Sequence, residues 1–198
     1  MAAFPGASRG ATLCATCIAV ADFNGDGKPD IAYAATLLTP VAGVVLGNGD
    51  GTFRPGEILP LSEALQGSPF AADFNGDGKV DLVISGYSTS LFFGNGDGTF
   101  SSPIAVGACS STASPSVSAV ADFNRDGKAD LICGTTVLLS NGDGTFRTGG
   151  TAGSNAMESF VLTADFNNDG NPDVLLRELS GQFAVALGHA TGPSARNS

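Results

Sequence analysis

Nine residues, Asp22-Phe-Asn-Gly-Asp-Gly-Lys-Pro-Asp30, place oxygen-bearing side chains at positions one, three, five and nine of a short stretch, with glycine at position six. That is the spacing by which a loop wraps a hard cation such as calcium: oxygens converge from alternate residues, and the glycine lets the chain reverse around the ion. The stretch returns as DFNGDGKVD from Asp73 to Asp81, as DFNRDGKAD from Asp122 to Asp130 and as DFNNDGNPD from Asp165 to Asp173. In the first copy the expected ligands are the side chains of Asp22, Asn24, Asp26 and Asp30 and the main-chain carbonyl of Lys28. The same reading gives Asp73, Asn75, Asp77, Lys79 and Asp81, then Asp122, Asn124, Asp126, Lys128 and Asp130, and finally Asp165, Asn167, Asp169, Asn171 and Asp173. One calcium per loop makes about four ions.

An Asx-rich turn would explain one such stretch without a metal. Four copies with acids at identical places favour the cation. A helix-loop-helix calcium sensor would require a bidentate Glu at position twelve, where this chain has Tyr33, Ile84, Cys133 and Leu176 inside apolar runs. All 15 Asp residues lie either in these loops or in a second repeated motif, so the formal charge of −10 is motif chemistry. Four divalent ions would bring that charge to −2 and remove most of the self-repulsion opposing compaction.

The second motif follows each of the first three loops: Leu46-Gly-Asn-Gly-Asp-Gly-Thr-Phe53, Phe93-Gly-Asn-Gly-Asp-Gly-Thr-Phe100 and Leu139-Ser-Asn-Gly-Asp-Gly-Thr-Phe146. Asn-Gly and Asp-Gly supply the positive φ angles of a tight hairpin. Between loop and hairpin stand short apolar runs, Ile31 to Ala34, Leu82 to Ser85, Leu131 to Cys133 and Val174 to Leu176, the pattern of strands covered on both faces. The first Asp residues of successive loops are 51, 49 and 43 positions apart, a supersecondary block the size of a propeller blade. Each unit reads as strand, calcium loop, strand, turn, strand, hairpin, strand, with Phe100 starting the fourth strand of the second unit and linkers over Arg54 to Ser68, Ser101 to Ser116 and Thr148 to Glu158.

The expected fold is therefore all-β: one repeat domain over residues 1–198, a propeller of four four-stranded antiparallel blades at about 12–59, 60–107, 108–152 and 153–192. The last unit decays at Gly188-His189-Ala190-Thr191-Gly192 where a fourth strand is due, and residues 1–11 read as the spare strand that closes it, within the chain or in a neighbouring protomer. The Phe after each first Asp (Phe23, Phe74, Phe123, Phe166) and the Phe closing each hairpin motif (Phe53, Phe100, Phe146) are expected to pack between blades.

DFNGDGKxD followed by GNGDGTF resembles the FG-GAP/VCBS repeat, the blade of integrin alpha-subunit propellers and of many secreted bacterial and fungal proteins, some propeller lectins among them. The resemblance covers almost the whole chain and implies blades whose first hairpin holds calcium. It departs in number, since family propellers commonly have seven blades and this chain has four units, and in the degenerate end at His189.

Other chemistry is sparse. His189 is the sole histidine and no Gly-x-Ser-x-Gly is present, so no enzyme is expected. No basic patch offers a nucleic-acid footprint, and no apolar stretch is long enough to span a membrane. Cys14, Cys17, Cys109 and Cys133 form an even set suited to an oxidising setting; of three pairings, Cys14 with Cys17 and Cys109 with Cys133 is preferred. Residues 1–11 lack the charged start and apolar run of a secretory signal. The expected role is a calcium-stabilised structural or adhesive module, secreted or at the cell surface. Its expected partners are copies of itself, by strand exchange or head to tail, and glycans or other extracellular proteins. A carbohydrate-binding propeller is the alternative, with only Tyr33 and Tyr87 and no Trp to stack on sugar rings.

Overall fold

The computed structural model describes residues 18–35, 41–61, 68–86, 88–109, 117–152, 157–178 and 180–189. Cys14, Cys17, Tyr87, the hydroxyl-rich stretch 110–116 and the expected closing strand at 1–11 lie outside them. The described residues are all-β apart from a single 3-10 turn at Gly107–Cys109. The first sheet has β1 (Ile18–Ala21), β2 (Asp30–Ala35), β3 (Val41–Gly47) and β4 (Phe53–Leu59), side by side in chain order. The second has β5 (Pro69–Ala72), β6 (Asp81–Ile84), β7 (Ser90–Phe92) and β8 (Ile104–Ala105). The third has β9 (Val117–Ala121), β10 (Asp130–Cys133), β11 (Thr136–Ser140) and β12 (Phe146–Thr151). The fourth has three strands, β13 (Met157–Ala164), β14 (Asp173–Glu178) and β15 (Phe183–Ala186). Every pairing within these sheets is antiparallel.

Sheets 1 and 2 form one compact unit, and sheets 3 and 4 form another together with Phe74–Gly76. The core of the first is built from inward residues of the central strands, Ala32, Val44, Leu82, Ile84 and Phe92, joined by Phe23 and Phe100. The core of the second gathers Phe123, Ile132, Val137, Leu139, Val174 and Leu176. Strands β6 and β10 are buried at every residue, which is why the sequence shows unbroken apolar runs there rather than alternation.

Several boundaries differ from the sequence reading, since β8 lies within the stretch Ser101 to Ser116 and β13 begins within Thr148 to Glu158, both read as linkers. Strands β4 and β12 extend through Leu59 and Thr151 into stretches that read as linkers, because Pro55 and Gly149-Gly150 look like loop composition. Both strands are the outer edge of their sheets, where a residue without an N–H and a weak strand former are tolerated. In the second sheet Phe100 makes only an isolated bridge to Gly94, and the fourth strand is confined to two residues.

The expected burial of all seven motif phenylalanines also needs correcting. Phe23, Phe74 and Phe123 are buried and Phe100 nearly so, whereas Phe166 is 46% and Phe53 36% exposed. The exposed large apolar side chains of the described residues fall on the first and fourth sheets only. In sheet 1 they are Ile18, Val20, Phe53 and Ile58. In sheet 4 and its loop they are Leu162, Phe166, Phe183, Val185 and Leu187.

Candidate metal loops

Each repeated loop joins the first and second strands of its sheet. Its conformation depends on two left-handed residues, at positions four and six: Gly25 and Gly27, Gly76 and Gly78, Arg125 and Gly127, Asn168 and Gly170. The left-handed geometry is free for glycine and costs about 1–2 kcal/mol for an ordinary side chain, so the third loop carries a strained Arg125.

Inside the first loop the Asp26 N–H donates both to Asp22 Oδ1 (3.2 Å) and to Asn24 Oδ1 (2.9 Å), so the oxygens of positions one and three converge on one point. The Gly27 N–H reaches Asp22 Oδ2 at 2.7 Å, and the Lys28 N–H reaches Asp26 Oδ1 at 3.0 Å. The third loop repeats this with Asp122, Asn124 and Asp126, and the fourth with Asp165, Asn167 and Asp169. In the second loop Gly78 donates to Asp73 Oδ2 (2.8 Å) and Lys79 to Asp77 Oδ1 (2.9 Å). The Asn171 and Asn167 amides hold the Asp169 carboxyl below the ordinary carboxylate range, so this exposed acid stays ionised.

Position nine behaves differently. Asp30, Asp81, Asp130 and Asp173 are fully buried. The Oδ2 of Asp30 accepts the Phe23 N–H at 2.9 Å and its Oδ1 accepts the Gly47 N–H at 2.7 Å. Asp130 binds Phe123 and Ser140 in the same way, and Asp173 binds Phe166 and Gly188. Asp81 accepts from Gly94 at 2.8 Å. This carboxylate ties the start of its own loop to the end of the third strand, or to the second residue beyond that strand. Spacing alone does not separate that task from ligation, since both need an oxygen at the same place. Burial pushes the Asp130 carboxyl up to about 6, with the Asp126 and Asp122 charges adding to it against the two N–H donors.

The Lys at position seven, named for its carbonyl, has a second use for its side chain. The stems of Lys28, Lys79 and Lys128 lie over the hairpin glycines Gly49, Gly96 and Gly142 of the same sheet, and their ammonium groups sit 3.3, 3.8 and 3.3 Å from the position-five Asp. In the hairpins, Asp50, Asp97 and Asp143 each accept the N–H and hydroxyl of the Thr two residues on, and the Thr hydroxyl leads in holding their carboxyls low. These three acids are turn-formers, a role that the sequence reading did not separate from that of the loop acids.

The oxygens at positions one, three and five suit a hard cation. Each accepts from a neutral N–H and retains a second lone pair, and Asn171 Oδ1 in the fourth loop is a buried oxygen without a hydrogen-bond partner. Among the described residues no three His, Cys, Asp or Glu side chains cluster as a metal site. Cys109 and Cys133 are both disulfide-bonded. His189 is exposed, and Tyr33 is buried within β2 and offers no stacking face. Glu57, one of four Glu residues outside the motifs, is engaged structurally: its Oε2 accepts the Phe100 N–H at 2.7 Å. No helix of the described residues is long and apolar enough to cross a membrane.

Four antiparallel sheets, each opened by an Asp-rich loop with paired left-handed residues, define a β-sheet repeat protein. The profile of FG-GAP-like repeats matches residues 22–84 and 73–133, more than half of the chain, and the chain belongs to that family. No curated protein matches its sequence. A crystal structure of the V. cholerae biofilm matrix protein Bap1 is similar, with a TM-score of 0.52 and 21% identity. That match covers 89% of this chain and 27% of the Bap1 chain, and at such identity the likeness is one of fold.

Proposed function

We propose that this chain is a calcium-stabilised, propeller-type repeat module of the extracellular space, structural or adhesive rather than enzymatic, that assembles head to tail. Four ions, one per loop, would be held by the oxygens of positions one, three and five, Asp22, Asn24 and Asp26 in the first loop, with the position-seven carbonyl and the position-nine acid completing the expected set. When bound, calcium supplies positive charge to a loop otherwise made of repelling carboxylates. The residues themselves hold the reversal of the chain, order the first strand against the second and present the loop Phe to its neighbour.

The observation that carries the reading is the recurrence of one hydrogen-bonded arrangement in loops 1, 3 and 4, with oxygens of positions one and three brought onto the same N–H. A loop so prearranged needs little reorganisation to take an ion. Extracellular location is supported by the family and by the disulfide-bonded Cys109 and Cys133. The printed role of Bap1, a biofilm matrix protein, belongs to a fold neighbour and agrees with a matrix or surface role here.

Thermal unfolding tests the proposal. Millimolar calcium added to EDTA-treated protein should raise the melting temperature by 10 °C or more, since an ion in hundredfold excess over its Kd contributes about 2.7 kcal/mol per site. Terbium luminescence should titrate to four sites. An unchanged melting temperature would overturn the proposal.

A further inference from the structure

The four loops share one skeleton but not one charge. Three Asp and one Lys give loops 1 and 2 a formal charge of −2 each over their nine residues. Loop 3 adds Arg125 to Lys128 and stands at −1, while loop 4, with Asn171 in place of the Lys, stands at −3. In the first three loops the position-seven ammonium lies 3.3, 3.8 and 3.3 Å from the position-five Asp. In the fourth the neutral Asn171 amide takes that place, donating to Asp169 Oδ1 at 2.8 Å. Loop 4 thus meets the hydrogen-bonding need of its acid without a cation among its own nine residues.

A cation reaches it from the neighbouring loop. Arg125 leaves loop 3 from position four, and its guanidinium lies over Gly170, position six of loop 4, within the same compact unit. Its Cζ stands 3.2 Å and its Nη1 3.6 Å from the point that a Cβ on Gly170 would occupy, so a side chain there would displace it. The Gly170 N–H in turn donates to Asp165 Oδ2 at 2.8 Å, which sets the guanidinium beside the residue that holds the first acid of loop 4. Counted with loop 4, Arg125 brings loops 3 and 4 both to −2, the value of loops 1 and 2. His189 also favours the ionised form of Asp169, but it belongs to the same repeat as loop 4. Arg125 holds a left-handed φ of 61° where loops 1 and 2 use glycine, and a strained side chain kept at one loop points to a task for that side chain.

We propose that Arg125 is the counter-charge of loop 4, supplied by loop 3, and that it sets the calcium affinity of loop 4 from outside that loop. The inference rests on the calcium reading above and concerns what makes one site differ from the others. Without an ion, the guanidinium offsets the repulsion between Asp165 and Asp169. It also opposes an incoming cation: for a unit charge and a divalent ion several ångströms apart in water, the opposition amounts to about three- to tenfold in Kd. With Arg125 in place, the −3 loop binds as a −2 loop does.

Arg125→Asn tests it, since Asn168 holds the same position with φ 59° in loop 4. The position-six glycines Gly27, Gly78, Gly127 and Gly170 give one amide reporter per loop, so a calcium titration followed by heteronuclear NMR reads each site by itself. The substitution should tighten binding at Gly170 by about three- to tenfold in low salt, leave Gly27 and Gly78 unchanged and move Gly127 less than Gly170. Half-molar salt should shrink the gain to within about twofold. Adding Asn171→Lys, which gives loop 4 the Lys of the other three, should return its affinity toward wild type. An unchanged Gly170 affinity, or a gain confined to Gly127, overturns the inference. So does a gain that survives both salt and the added Lys, because it is not electrostatic. If no glycine amide responds to calcium, the calcium reading falls and takes the inference with it, whereas loops that all respond, with Gly170 indifferent to Arg125→Asn, remove the counter-charge alone.

Discussion

Replacing Asp30 by alanine separates two tasks that the sequence assigns to one residue. The buried carboxylate accepts the N–H groups of Phe23 and Gly47 at 2.9 and 2.7 Å, and alanine leaves both donors without an acceptor in the interior. A hydrogen bond to a charged acceptor contributes about 1.5–3 kcal/mol, so the pair represents about 3–6 kcal/mol gross. Alanine also removes the desolvation cost of the carboxylate, which brings the net loss to about 2–3 kcal/mol. The assay is urea unfolding of wild type, Asp30→Ala and Asp26→Asn, each in calcium and in EDTA. If Asp30 ties the loop to the third strand, its penalty persists in EDTA. Asp26, exposed at position five, should lose stability chiefly in calcium. An Asp30→Ala protein as stable as wild type in EDTA, within about 0.5 kcal/mol, would refute the tie and leave Asp30 as a ligand alone.

Two further outcomes follow from the same contacts. Burial raises the Asp130 carboxyl to about 6, so the fold favours its neutral form, and that contribution, full below pH 4, is lost as pH rises through 6. In calcium-free buffer the unfolding free energy should fall between pH 4 and 7 by about 2 kcal/mol, and Asp130→Asn should flatten the slope. Glu57→Ala removes the acceptor of the Phe100 N–H and should cost about 1–3 kcal/mol by denaturant unfolding, while Glu57→Gln, which keeps an acceptor oxygen, should recover most of it.

Much of the fold was legible because the repeats state it four times. The Asn-Gly-Asp-Gly hairpins and the apolar strands after each loop follow from residue order. What escaped were properties that no single segment holds. Asp30 looks like a ligand because its two N–H partners, on Phe23 and Gly47, are groups that every such residue has, and only the fold brings them to it. Phe53 and Phe166 carry the same motifs as Phe100 and Phe23, yet the fold leaves them exposed where it buries the other two. Edge strands β4 and β12 tolerate Pro55 and Gly150, which composition assigns to loops.

The left-handed pairs in the loops bear on the order in which the repeats fold. Position four is glycine in the first two loops and Arg125 or Asn168 in the last two. Glycine forms the loop without strain but gives up more backbone freedom when ordered, whereas Arg125 and Asn168 begin with less freedom and end with more strain. The two halves of the chain thus reach one loop geometry by opposite routes, one limited by entropy and the other by steric energy. Cooling should slow their closure differently, and the loops need not order together as the chain emerges from synthesis.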